Sequence, residues 1–170
     1  MKTTILNFIL ILLIFVSCSK KESPETPPEP EVKTLISSVD LSSIPQIDTT
    51  DAVFYNASGQ QEDVLTTLKN NGVNTIRLRL WYNPKNIHSS FNEVKTYSSE
   101  IKSKGLKVWI SVHYSDTWAD PGNQETPKEW QGKPFNEIKD NVYSYTQKII
   151  AEINPDYIQI SNEINAGLLF

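Results

Sequence analysis

From Leu35 onward the chain alternates short β-branched or apolar runs with longer amphipathic ones. That alternation is the pattern of an α/β protein with parallel strands. Strands are predicted over Leu35 to Leu41, Thr75 to Leu80, Lys107 to Val112 and Tyr157 to Ser161. The first intervening helix, Gln60 to Asn71, carries Val64, Leu65 and Leu68 on one face. It is followed by Gly72, suited to a left-handed helix terminus. The second, Asn92 to Lys104, aligns Val94, Tyr97 and Ile101 and closes at Gly105. The third, Phe135 to Ile153, steps through Ile138, Val142, Tyr145, Ile149 and Ile153 in one stripe until Asn154-Pro155 stops it.

The first 34 residues follow a different pattern. Met1-Lys2 precede an apolar stretch from Ile5 to Val16, broken only by Asn7, and then Ser17 and Cys18. This is the charge, apolar core and small residue of a signal peptide. A permanent membrane span needs about 20 apolar residues, and the stretch is shorter. Residues 19–34 have no apolar periodicity. Pro24, Pro27, Pro28 and Pro30 among glutamates suit an extended spacer. The expected domains are therefore 1–18, a leader ending at Cys18; 19–34, a Pro/Glu-rich linker; and 35–170, the folded unit.

Composition removes some functions. The net charge is −4 and no basic run extends beyond Lys20-Lys21, so the electrostatic footprint of a nucleic-acid binder is absent. Cys18 is the only cysteine, which excludes an internal disulfide. No Gly-rich phosphate loop follows the first strand, which argues against the nucleotide-binding form of an open doubly wound sheet. A (β/α)₈ barrel, the TIM barrel, has eight strand–helix units over about 250 residues, and four strands with three helices are half of that. A sheet of four such strands would leave two unpaired edges. The expectation is the first four strands of a TIM barrel belonging to a longer protein.

Active sites of such barrels lie at the carboxyl ends of the strands. The residues there are Asp40; Arg79, Trp81 and Tyr82; His113, Tyr114 and Asp116; and Asn162 with Glu163. Aromatic faces stack on sugar rings while carboxylates, amides and imidazoles bond their hydroxyls, so the set suits carbohydrate. His113, Asp116 and Asp120 match no closed zinc or calcium pattern, and no metal or cofactor is implied. Arg77 and Arg79 share one side of the second strand, where charges need partners if the barrel closes.

The segment His113-Tyr114-Ser115-Asp116-Thr117-Trp118-Ala119-Asp120-Pro121-Gly122-Asn123-Gln124, with Pro127 and Trp130, resembles the third-strand loop of family 53 glycoside hydrolases, the arabinogalactan endo-β-1,4-galactanases. So do Val39-Asp40-Leu41-Ser42, Gly72-Val73-Asn74 with Arg77-Leu78-Arg79-Leu80-Trp81 and Asn83-Pro84, and Gln159-Ile160-Ser161-Asn162-Glu163-Ile164. Departures are Ser38-Val39, where the family more often has Gly-Ala, and Ser161, where it more often has glycine. The resemblance implies a retaining hydrolase with Glu163 as acid/base and Asn162 on a sugar hydroxyl. Its nucleophile is a glutamate ending strand seven, absent from this chain. It further implies substrate contacts for Asp40, Trp81, His113, Asp116 and Trp118, and an arginine holding the nucleophile ionised. Arg79, nearer the strand's end, takes that role, with Arg77 deeper and structural.

The context Phe15-Val16-Ser17-Cys18 resembles a bacterial lipobox, which implies a lipid on Cys18 and a place in the cell envelope, at the outer membrane or cell surface. The partners implied are β-1,4-galactan side chains of pectin and, through the lipid, a membrane. Two other readings stay open: another barrel glycanase such as a mannanase, and a surface lipoprotein that binds carbohydrate without cleaving it.

Overall fold

The structure, a computed structural model, describes residues 35–169. The leader, Cys18 and the linker lie outside the described residues. Four parallel strands, β1 (Ser38–Asp40), β2 (Thr75–Leu80), β3 (Lys107–Val112) and β4 (Tyr157–Ile160), pair in the order β1-β2-β3-β4. Between them lie α1 (Ile44–Ile47), α2 (Val64–Asn70), α3 (Phe91–Ser103) and α4 (Phe135–Glu152), with 3-10 turns at Lys128–Trp130 and Ile164–Ala166.

Doubly wound sheets reverse strand order at a switch point, because their helices cover both faces. Here the order never reverses, and one apolar cluster holds the helices against a single face. Ile76, Leu78, Leu80, Val108, Ile110 and Val112 of the sheet pack with Leu65, Val94, Ile101 and Ile149. The opposite face carries Asp40, Arg77, Arg79, Ser111 and Gln159, whose side chains bond one another or their neighbours. A singly wound parallel sheet with a polar inner face is the wall of a TIM barrel, of which these are four strands.

Local chemistry sets the boundaries. β1 is shorter than expected because Asn74 intervenes: its Oδ1 accepts from Ser37 N–H at 3.1 Å and its Nδ2 donates to Leu35 O at 2.7 Å. Ser37 N–H and Leu35 O therefore meet a side chain where a strand would meet backbone. α2 starts at Val64 instead of Gln60, since Asp63 caps it by accepting from Thr66 N–H at 2.8 Å. Gln61 is held in a bridge with Tyr55. The one-turn α1 was not expected; it seats Ile44 in the core behind Pro45. α3 and α4 begin and end within a residue of expectation, and Gly72 (φ 88°) and Gly105 (φ 73°) close α2 and α3 in the left-handed region. Asn154 (φ 51°) does the same for α4, and Lys102 of α3 donates its Nζ to Ile153 O at 2.8 Å, tying the two helices.

Adjacent residues of α4 separate burial from composition: Ile149 is fully buried and Ile150 is 51% exposed. Ile149→Ala is expected to cost about 2–5 kcal/mol in urea unfolding, and Ile150→Ala under about 1 kcal/mol. Equal losses would mean that α4 does not pack as described.

Candidate active site

The site forms where the inner face of the sheet meets the loops after the strands. Arg77, on β2 and half-buried, is its centre. Its Nη1 pairs with Asp40 Oδ2 from β1, and its Nη2 donates to Ser111 Oγ of β3 at 2.8 Å and to Asn162 Oδ1, after β4, at 3.1 Å. One guanidinium thus joins all four strands. The Asp40 carboxyl, which burial alone would raise, is held below its ordinary value by hydrogen bonds from Ser42 and then by Arg77.

Asn162 is buried, and its amide oxygen, amide nitrogen and carbonyl are each engaged. Its Nδ2 donates to Ala119 O at 2.9 Å, Gln159 Nε2 donates to its Oδ1 at 3.3 Å, and Gln124 Nε2 donates to its carbonyl at 2.8 Å. Ala119 also donates its N–H to His113 Nδ1 at 3.0 Å. That bond requires Nδ1 to be unprotonated, so the neutral ring carries its proton on Nε2. Burial, then Arg79 and Arg77, push His113 down to about 4.

Arg79 lies in a different setting. Its Nε donates to Ser89 Oγ at 3.0 Å, and its guanidinium sits 4.1 Å from the ring centre of Trp118 and 4.7 Å from that of Trp81. The two indoles meet edge to face at 6.0 Å, and Trp118 meets His113 likewise at 5.7 Å. Among the described residues Arg79 makes no ion pair. Burial pulls its guanidinium below the ordinary value, opposed by Asp40 and Glu93. A half-buried cation over two tryptophans can receive an anionic or hydroxylic oxygen.

The other predicted residues fall around this core. Trp118 is 53% exposed at the mouth. Trp81 borders an open groove of about 660 Å³ between the loops after β2 and β3. Asp116 borders the same groove, but its two oxygens accept from Asn83 N–H at 3.1 Å and Lys128 N–H at 3.0 Å, so it clasps the loops. Tyr82 and Tyr114 turn outward, donating to Glu129 and meeting Thr146 respectively. Among the described residues no cluster of three His, Cys, Asp or Glu side chains could hold a metal ion.

Glu163 is exposed, and its carboxylate makes no hydrogen bond among the described residues. It follows a β4 end in which Ser161 (φ 68°) and Glu163 itself (φ 49°, ψ 47°) are both left-handed, flanking the locked Asn162. A fixed amide beside a free carboxyl on a strained turn is an arrangement for presenting one carboxyl group to a ligand.

The family model described as glycosyl hydrolase family 53 matches residues 36–170. This chain belongs to glycosyl hydrolase family 53. It is 34% identical over 148 residues to the endo-beta-1,4-galactanase of Bacillus subtilis (strain 168), covering 79% of this chain and 34% of that protein. To the probable arabinogalactan endo-beta-1,4-galactanase A of Aspergillus terreus it is 34% identical, covering 77% and 39%. A structure from a study of two fungal beta-1,4-galactanases superposes with a TM-score of 0.75 at 33% identity, covering 81% of this chain and 43% of that one. The Ignisphaera aggregans GH53 catalytic domain gives 0.74 at 38%, covering 79% and 41%. The chain thus spans about two fifths of the length of these family 53 relatives.

Several site residues escaped the sequence reading. Ser111 and Gln159 share the inner-face parity of Arg77, and extending period 2 from β2 to β3 and β4 would have found them. Gln124 ends the third-strand motif. Ser89 has no sequence signal: it is buried, left-handed (φ 57°), and meets Arg79 only through the fold.

Two measurements follow from this geometry. Ser161 takes a left-handed φ with its Oγ buried and unpartnered, so Ser161→Gly is expected to stabilise the chain by about 1–2 kcal/mol in urea unfolding. A loss would show that β4 does not end in this turn. The His113 value lies below that of an unfolded histidine, so the unfolded chain takes the proton first as pH falls. The stability this neutral ring contributes is full above pH 6.5 and declines towards pH 4. Between pH 7 and 4.5 wild type should lose roughly 2–3 kcal/mol more than His113→Asn; parallel declines would refute a buried neutral ring.

Proposed function

We propose that this chain supplies the acid/base half of an endo-acting β-1,4-galactanase that cleaves (arabino)galactan with retention, held at a bacterial cell envelope by a lipid on Cys18. The observation that carries the reading is the end of β4. Asn162 is immobilised by Arg77, Ala119 and Gln124, while the adjacent Glu163 carboxyl is exposed and unbonded. A family 53 chain with galactanases among its relatives supports the substrate class.

Retaining hydrolysis needs two carboxyl groups about 5 Å apart. Glu163 would protonate the glycosidic oxygen as the bond breaks, then take a proton from the water that releases the sugar. A second carboxylate attacks the anomeric carbon; the resemblance assigns it to a seventh strand, outside these four units. Arg79 would keep such a carboxylate ionised; its lack of an ion-pair partner among the described residues and its place on the inner face support this reading. Asn162 would offer its amide to a sugar hydroxyl, and Trp118 and Trp81 would take the apolar faces of sugar rings. Among the described residues no helix is long and apolar enough to cross a membrane, so envelope attachment rests on the Cys18 context.

Three outcomes are expected. Residues 1–170 alone should release no reducing ends from galactan. In the full-length barrel, Glu163→Gln should lower kcat by about 10²–10⁴ while the protein still binds galactan; undiminished turnover would remove Glu163 from the mechanism. In cells, Cys18→Ala should move the protein from the membrane fraction to the soluble one, and unchanged partitioning would remove the lipid anchor.

A further inference from the structure

The loop between β2 and α3 folds back on the strand it leaves, and one residue makes the return. Ser89 is buried and left-handed (φ 57°). That backbone is unfavourable for a serine, whose Cβ crowds the following carbonyl there. In exchange Ser89 meets β2 and its end at two alternate positions. Its carbonyl accepts from Trp81 N–H at 2.9 Å, and its Oγ accepts from Arg79 Nε at 3.0 Å.

Ser89 is in turn held from α3. Glu93 Oε2 accepts from Ser89 N–H at 2.6 Å while Oε1 meets His88 Nδ1 at 2.9 Å, and Ser90 caps the helix by accepting from Glu93 N–H at 3.4 Å. Phe91, Val94 and Ile101 fix α3 in the core. The Nε of Arg79 is thus tied through one hydroxyl to a packed helix, and strained backbone of this kind persists where its surroundings over-determine it.

The far end of Arg79 is left unused. Among the described residues its Nη atoms make neither a hydrogen bond nor an ion pair. A guanidinium is a rigid planar fork, so holding Nε on one edge and the Trp118 and Trp81 rings against it sets the direction of both Nη donors.

We propose that Ser89 is a positioning residue for the reaction, aiming the Nη donors of Arg79 at the carboxylate that attacks the anomeric carbon. This rests on the reading of Arg79 as the partner of that carboxylate. Ser89 itself acts only through Arg79. The ionisable groups around Arg79 are Asp40 of β1, Arg77 of β2, His113 after β3 and Glu93 of α3, and deleting the Ser89 hydroxyl removes none of them.

The test is steady-state kinetics of the full-length barrel on β-1,4-galactan across the acid to neutral range, with thermal unfolding to verify each fold. Ser89→Gly deletes the hydroxyl, and glycine takes the left-handed φ freely, keeping the backbone contacts with Trp81 and Glu93. Ser89→Ala, which keeps the Cβ, repeats the deletion independently. Each is expected to lower kcat by about tenfold with KM nearly unchanged. Each should also move the acid limb of the kcat/KM profile to higher pH, because a carboxyl facing a misaimed cation gives up its proton less readily. In an Arg79→Ala background Ser89→Gly should cost nothing further. Ser90→Ala, which weakens the α3 cap, should lower thermal stability and leave the acid limb in place. Equal losses from Ser89→Gly with and without Arg79 overturn the proposal, as do wild-type kinetics for both Ser89 variants beside an impaired Arg79→Ala; the reading of Arg79 survives either result. Wild-type kinetics for Arg79→Ala would remove that reading, and the role of Ser89 with it.

Discussion

A charged side chain on the inner wall of a parallel sheet is the constraint around which this molecule is arranged. Arg77 stands where a closed barrel would bury it, and a buried guanidinium needs several well-placed acceptors. It finds them on β1, β3 and the end of β4. Its hydrogen bonds thus report the register of all four strands, since a shift of one residue would turn Arg77 or its partners to the apolar face. The same bonds hold Asn162, and through Asn162 the loop after β3 at Ala119 and Gln124. The interaction that registers the sheet also builds the site.

Rigidity and freedom are divided sharply at the end of β4. Asn162 is held through its amide oxygen, its amide nitrogen and its carbonyl, whereas Glu163 has no partner among the described residues. The left-handed backbone on both sides of Asn162 makes this possible, because it lets one residue point into the network and the next away from it. Ser161 takes its left-handed φ while its side chain gains no hydrogen bond in return. His113 extends the rigid part by a neutral route. Its Nδ1 takes the Ala119 N–H, and burial, then two nearby arginines, keep the ring from charging.

The two arginines of β2, alike in sequence, are opposite in situation. Arg77 is paired with Asp40. Arg79 is stacked on indoles and has no carboxylate partner among the described residues. Aromatic residues divide in the same way. Trp118 is exposed beside Arg79, while Trp130 is fully buried under Tyr82.

The sequence by itself determined the four strands, the three longer helices and their order. Hydrophobic period and the glycine stops depend on contacts within a few residues, so strands two to four, α3 and α4 were legible to within a residue or two. The positions of Asp40, Arg79, His113, Asn162 and Glu163 at strand ends followed from the same counting. Tertiary structure alone decided what those residues touch. That Asp40 meets Arg77, that Asp116 clasps loops, and that Ser89 supports Arg79 depend on strand register and on loops folding back. Both are settled by long-range packing and by buried polar groups finding partners distant in the chain, which no local pattern encodes.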